Sequence, residues 1–359
     1  MSRGRGLPGL RAIPRARARA LLVPLALPVL AVLAACGSGG SGTDAPGAAP
    51  PATAPAAPRP GAYFPPEAVW YRDVSRAPLD AESAAVIAHL DRAGWGTGRM
   101  QIDFSIQVLE ARSDTPLMAF IPTEDHFRPD CDLDPVPVPP GGALEGEAGY
   151  ECRSDGDCHL IVTDRGRMRL FEMWRADIAG GAFRGGCLAV WDMTRVYPPT
   201  GRGEQCTSAD AAGHPIAPLL FSADEVAAGA IDHAIRFILP NATIRAGEYV
   251  HPATHGTRST SGPREAPPYG ARLRLRADYP LASLPSEGAR VVARAMQRYG
   301  MLLSDAGQIA LTAQGDRFTR AKWPGLLAPH DLAALRPRDF EMVQAGDRIR
   351  LTNDCVRNP

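Results

Sequence analysis

The sequence predicts a mainly β fold, a single domain of the sandwich or jelly-roll type with two or three short helices. Three observations predict it. Short runs alternate apolar and polar residues with period two, as in MQIDFSIQVL at 100–109 and GARLRLRA at 270–277, the pattern of strands with one buried face. Glycine and proline, 36 and 35 of 359 residues, break the chain between those runs, where they supply turns and end strands. Only three stretches carry helical spacing, and no internal repeat is present. With 45% hydrophobic residues the chain can bury a real core.

The domain is expected over residues 60–359, because what precedes it reads as a targeting segment and a tether. Six arginines (Arg3, Arg5, Arg11, Arg15, Arg17 and Arg19) are followed by an apolar run at 20–35 and the sequence Leu33-Ala34-Ala35-Cys36. That is a lipoprotein signal peptide over 1–35, with small residues before a cysteine whose thiol takes the lipid. The apolar run is shorter than the ~20 residues a membrane span needs. Lipidation at Cys36 places the protein in the cell envelope, anchored to the membrane through that lipid. Gly37, not aspartate, follows the cysteine, which directs it to the outer membrane if the cell is Gram-negative. Residues 36–59 are Gly, Ala, Pro, Ser and Thr with almost nothing to bury, the composition of a flexible tether.

Within the domain, Tyr63-Phe64 and Val69-Trp70-Tyr71 open the core. The spacing of Ala84, Ala85, Ile87, Ala88 and Leu90 predicts a helix over 80–93, ended by Gly94. A strand follows at 100–109, then the connector DPVPVPPGG at 134–142. The segment 157–174 reads as a buried hairpin with its turn at Arg165-Gly166. His159, Ile161 and Thr163 share one face of its first strand, and Met168, Leu170, Glu172 and Trp174 share one face of its second. A further strand is expected at 187–193. Ser222 with Glu225 three residues on reads as a capped helical turn. The run 230–239 reads as a strand, with Ile231, His233, Ile235 and Phe237 on one side and Asp232, Ala234, Arg236 and Ile238 on the other. At 270–277, Arg272, Arg274 and Arg276 line one strand face, as a solvated surface or an anion-binding floor. The stripe of Val291, Val292, Ala295, Met296 and Tyr299 predicts an amphipathic helix over 286–299. Residues 300–311 read as a strand pair turning at Asp305-Ala306-Gly307, and the segment 323–340 supplies Leu332 and Leu335 to the core.

Seven cysteines are present. Giving Cys36 to the lipid leaves Cys131, Cys152, Cys158, Cys187, Cys206 and Cys355, an even number for disulfides outside the cytosol. Turn-rich spacers favour Cys152 with Cys158 and Cys187 with Cys206, leaving Cys131 with Cys355. No CxxC, HxH or HExxH spacing suggests a metal, no GxSxG suggests a serine hydrolase, and no cofactor is implied. Lys+Arg and Asp+Glu both number 39, without a basic stripe, which argues against a nucleic-acid partner.

The ordered series DCHLIVTD (157–164), LFEMW (170–174), TSADAAGHPI (207–216), DEVAAGAIDHAIRF (224–237), YVHPATH (249–255), PPYGARLRLRA (267–277) and RYGMLLSDAG (298–307) resembles a family of secreted bacterial proteins over roughly residues 64–343. The resemblance implies secretion, and some members look joined to carbohydrate-binding or similar extracellular modules; it implies no particular activity. Tyr269 stands where that family commonly carries methionine, which points to packing at that position.

Glu172 and His233 are polar residues on otherwise apolar strand faces, costly unless paired or facing a cleft. If those faces look at each other, they frame a site for cutting a polysaccharide, which needs a proton donor and a base or nucleophile. On this expectation Glu172 is the acid, Asp210 the base or nucleophile, and His159 and His233 orient the substrate. Arg274, Trp174 and His255 contact the substrate. A lyase version uses His233 as the base and Arg274 against a uronate carboxylate. The bland alternative makes Glu172 and His233 satisfied structural groups. A non-enzymatic alternative is an anchored glycan-binding or envelope-interaction protein stacking sugars on Trp70, Trp174, Trp191 and Tyr249.

Overall fold

Ten of the 19 strands build the two largest of six sheets in the computed structural model, which describes residues 62–154 and 156–358. The expected signal peptide, the lipidation site at Cys36 and the tether lie outside the described residues. Among the described residues no helix is long and apolar enough to cross a membrane. The chain is mainly β, with three α-helices among the described residues.

The strands of these two sheets are β1 (Ile102–Ile106), β2 (Val108–Glu110), β3 (Leu160–Asp164), β4 (Arg169–Met173), β5 (Leu188–Asp192), β6 (Ile235–Leu239), β7 (Arg272–Leu275), β8 (Met301–Ala306), β9 (Leu311–Gln314) and β10 (Phe340–Met342). The larger sheet has the order β1-β9-β6-β8-β7-β10, with β1 parallel to β9 and β6 parallel to β8. The smaller sheet runs β5-β4-β3-β2, with β2 parallel to β3. The run at 100–109 is thus split at Gln107: β1 enters one sheet and β2 the other.

The hairpin at 157–174 forms as the sequence predicts, with Ile161 opposite Glu172 and Val162 opposite Phe171. Its two faces serve different cores. Ile161 and Leu170, with Ala189 and Trp191 of β5, share the main core with the six-stranded sheet, whereas Leu160, Val162, Phe171 and Met173 pack into a second core with Val136 and Leu144. Both faces being buried explains why the hairpin reads as near-continuous apolar runs.

The helices follow their sequence signals closely. α1 (Ser83–Ala93) ends on Gly94 at φ +81°, a left-handed conformation that glycine adopts without steric cost. α2 (Ala223–Ala228) starts on a full capping box between Ser222 and Glu225. α3 (Glu287–Arg298) is capped by the Ser286 hydroxyl and buries Val291, Val292, Ala295 and Met296.

Two expectations are corrected by topology. Residues 300–311 do not make a hairpin, because β6 lies between β8 and β9. The link wraps the end of β6: the Gly307 amide donates to the Leu239 carbonyl and the Ile238 amide to that of Ala310, both at 2.9 Å. The arginine row is neither solvated nor an anion-binding floor. Arg272 and Arg274 are buried, and Arg274 pairs with Glu341 of the adjacent β10 and donates to the carbonyls of Val74 and Ala77. Only Arg276 points to solvent, beside Asp278.

All six remaining cysteines are bridged, but two of the expected pairings change. The bonds are Cys131–Cys187, Cys152–Cys158 and Cys206–Cys355. The loop around residues 130–132, between β2 and β3, lies along β5, the Asp132 amide donating to the Leu188 carbonyl at 2.8 Å, so Cys131 meets Cys187. The strand pair Gly203–Glu204 with Val356–Arg357 brings Cys206 to Cys355. This last bridge closes 149 residues, so removing it with Cys206→Ser and Cys355→Ser lowers unfolding free energy by about 2–5 kcal/mol. Chemical denaturation of the oxidised protein measures that loss as a lower midpoint, with a steeper slope because the unbridged denatured chain exposes more surface.

Candidate functional site

Arg236 sits in β6, near the middle of the six-stranded sheet, with 4% of its side chain exposed. A buried guanidinium must be met by anions and acceptors, since its desolvation is otherwise uncompensated. Its Nε and Nη2 grip Asp210 at 3.2 and 2.8 Å, Nη2 also reaches Asp305 at 3.1 Å, and Nη1 donates to the Thr312 hydroxyl at 2.7 Å. Burial alone would lower the arginine pKa, but Asp210 and Asp305 outweigh it and raise it.

Asp210 comes from the loop 207–214, which is held from within and from below. The Ser208 hydroxyl accepts from the Asp210 amide at 3.0 Å and donates to the His214 carbonyl at 2.6 Å. The Ala212 amide then donates to the Ser304 carbonyl of β8 at 2.9 Å. This fixes the Asp210 carboxylate, itself fully buried, against Arg236.

Asp305, at the end of β8, is the member of this group that meets solvent, with 20% of its side chain exposed. Burial and the nearby Asp210 charge push its carboxyl up to about 8, against the pull of Arg236. Burial and Asp210 thus favour its protonated form, while the Arg236 ion pair and the Ala306 amide favour the carboxylate.

Asp210 and Asp305 line a cleft of about 660 Å³. Phe127, Arg128 and Asp130 form one stretch of its lining, Asp157 and Trp174 another, and His255, Arg258 and Asn353 a third. The His255 ring lies 2.9 Å from the Ala211 carbonyl and 3.1 Å from the Asn353 side chain, and burial lowers its pKa, keeping it neutral. The Trp174 indole donates to Asp157 at 2.9 Å. Disulfides brace these walls: Cys131–Cys187 ties down the loop after Asp130, and Cys206–Cys355 joins the loop before Asp210 to the segment bearing Asn353.

Of the residues the sequence singles out, Asp210, Trp174 and His255 meet in this cleft, while Glu172, His159, His233 and Arg274 do not line it. Both oxygens of Glu172 are consumed inside the core, accepting from the amides of Ile216 and Ala217 and from the Trp191 indole at 2.7–3.0 Å. His233 lies just before β6, its ring 3.1 Å from Glu225 and 2.8 Å from the Ala234 carbonyl. Glu172 and His233 therefore satisfy separate neighbours and do not form one site. Of the aromatic platforms, only Trp174 lines the cleft; Trp70, Trp191 and Tyr249 are buried.

His159 supports the cleft from behind. Its ring lies 2.6 Å from Glu145 and, through Nε2, 3.0 Å from the carbonyl of Ala209, the residue before Asp210. Burial alone would discharge the imidazole, but Glu145 outweighs it and raises the pKa to about 9. Burial would also raise Glu145, but His159 outweighs it and lowers that carboxyl to about 2. The stabilisation from His159 is thus fully present below its ordinary value of 6.5 and is lost as pH rises through about 9. That from Glu145 is present above 4.5 and is lost as pH falls through about 2. His159→Gln is expected to cost about 1–3 kcal/mol below pH 6.5, because the half-buried Glu145 loses its charged partner. Unfolding curves of both proteins across pH check this: the gap should close as pH rises towards 9.

The sequence does not single out Arg236 or Asp305, although a signal exists for each. An arginine inside IRFIL (235–239) needs a buried anion, and Asp305 follows the apolar run MLL by two residues, where a strand can end in a pocket. Among the described residues, the one grouping with metal-ligand spacing is Glu147, Cys152 and Cys158, and its two sulfurs are joined to each other. No family model, curated protein or solved structure matches this chain.

Proposed function

We propose that this chain is a lipid-anchored extracytoplasmic protein of the cell envelope that hydrolyses a polysaccharide in the cleft of Asp305. The observation that carries the reading is Asp305 itself, a partly exposed carboxyl that opens onto a cleft of saccharide size and whose pKa burial and Asp210 raise. Its role is to give a proton to the leaving glycosidic oxygen, as a glycosidase acid does. Asp210 is an unsuitable nucleophile, because Arg236 occupies both its oxygens; its role is to raise the Asp305 pKa and position that residue. Asp157 is the base candidate, with one oxygen on the Trp174 indole and the other available to a water. Phe127 and Trp174 offer aromatic faces for sugar rings, and Asn353 and Thr207 offer polar groups for hydroxyls. The signal peptide, Cys36 and the resemblance to secreted bacterial proteins support the address.

One observation favours the non-enzymatic reading, in which the cleft binds an envelope glycan without cutting it. The clamp of Arg236 on Asp210 removes one of three candidate carboxyl groups from chemistry. The test is a screen of the full-length protein in detergent against polysaccharides and peptidoglycan, reading released product beside Asp305→Asn. Product from the wild type that disappears in the variant supports hydrolysis. Binding without product supports the second reading, and equal product from both proteins removes Asp305 from the chemistry.

A further inference from the structure

We infer that the chain bound in this cleft is an acidic saccharide, carrying carboxylate or sulfate groups; the inference rests on the cleft being a saccharide site and names its substrate class. The charged groups of the lining differ in the partners they have. Asp210 and Asp305 are both paired with the buried Arg236. Asp130 is buried and accepts from the Thr207 amide at 2.8 Å, and Asp157 accepts from the Trp174 indole at 2.9 Å.

The cations of the lining differ. Arg128 and Arg258 both face the cleft, both are exposed, and among the described residues neither makes an ion pair or a hydrogen bond. Most of the other arginines are committed: Arg202 and Arg357 to Asp132, Arg245 and Arg348 to Glu82, and Arg274 to Glu341. Two unengaged guanidiniums on one cleft are donors in search of an acceptor, and their planar fork matches carboxylate and sulfate oxygens. They approach the cleft from different chain segments, one in the loop braced by Cys131–Cys187 and one in the loop after His255.

The experiment is calorimetric titration of full-length protein in detergent with three probes: an oligogalacturonide, a sulfated galactan oligosaccharide and a neutral galactan oligosaccharide of equal length. At least one acidic probe is expected to bind about tenfold or more tightly than the neutral one, an advantage that shrinks as salt is raised. The carboxylate and sulfate arms distinguish the two sources of negative charge. Arg128→Gln and Arg258→Gln should each weaken the preferred acidic probe about tenfold and leave the neutral probe unchanged. Arg258→Lys should restore part of the loss. Equal binding of acidic and neutral probes, or acidic binding indifferent to both substitutions, overturns the inference while leaving the saccharide cleft standing. Absence of binding by all three probes overturns the saccharide reading and the inference together.

Discussion

Asp305→Asn is expected to lower saccharide turnover by about 10²–10⁴-fold, the range lost when a positioned proton donor is removed, while ligand affinity changes by a few-fold at most. The asparagine keeps the shape and neutrality of the protonated Asp305 and removes the transferable proton alone. Its own backbone neighbour, the Ala306 amide 2.7 Å from the carboxyl, keeps an acceptor. Folding should therefore be preserved, which separates this variant from one that fails for lack of structure. The wild-type enzyme should also lose activity as pH rises through about 8, where Asp305 gives up its proton. Neutralising Asp210 with Asp210→Asn removes the charge that helps hold Asp305 protonated, so the same limb should move to lower pH. Initial rates of reducing-end release across pH measure both effects.

Glu172→Ala is expected to destabilise the protein by about 3–5 kcal/mol, the cost of leaving three buried donors without an acceptor. The carboxylate accepts from three donors in the main core, and alanine leaves the Ile216 and Ala217 amides and the Trp191 indole without acceptors. Those amides start the turn that follows the Asp210 loop, so Glu172 acts on the cleft only through the fold. Glu172→Gln should cost less, about 1–3 kcal/mol, because one oxygen remains while an amide nitrogen meets an N–H donor. Thermal unfolding measures the loss, and the turnover of the folded fraction should stay near wild type. A Glu172→Gln protein of full stability with no activity would instead return Glu172 to the role of acid.

The strands and helices were legible because their signals are local. Period-two alternation marked β1 and β7, near-continuous apolar runs marked β3 and β4, and the pair Ser222 and Glu225 marked the start of α2. The hairpin of β3 and β4 was legible down to its cross-strand faces. Topology was not, because sequence adjacency suggested that β8 and β9 pair, whereas β6 enters between them from 60 or more residues away. The disulfide partners were obscured for the same reason: Cys206 meets Cys355 through a strand pair formed across the chain.

The site was half legible. Asp210, Trp174 and His255 stand in loops or at strand ends, where polar and aromatic residues are free to face a cleft. Glu172 drew attention for a sound reason, a carboxylate on an apolar face, but the core supplies three donors for it. Period two alone cannot tell a buried acceptor from a cleft acid, since the distinction lies in what a distant segment brings to it. Asp305 was hidden by the opposite error, because Asp-Ala-Gly reads as a turn although the aspartate ends a strand beside Arg236.

The most direct test of the account is the ionisation of Asp305, followed by carboxyl carbon NMR in the full-length protein with the Asp305→Asn variant used for assignment. The account predicts an apparent pKa near 8, falling in Asp210→Asn. A resonance that titrates in the ordinary aspartate range, near 4, would leave the cleft without a proton donor at neutral pH and contradict the proposed chemistry.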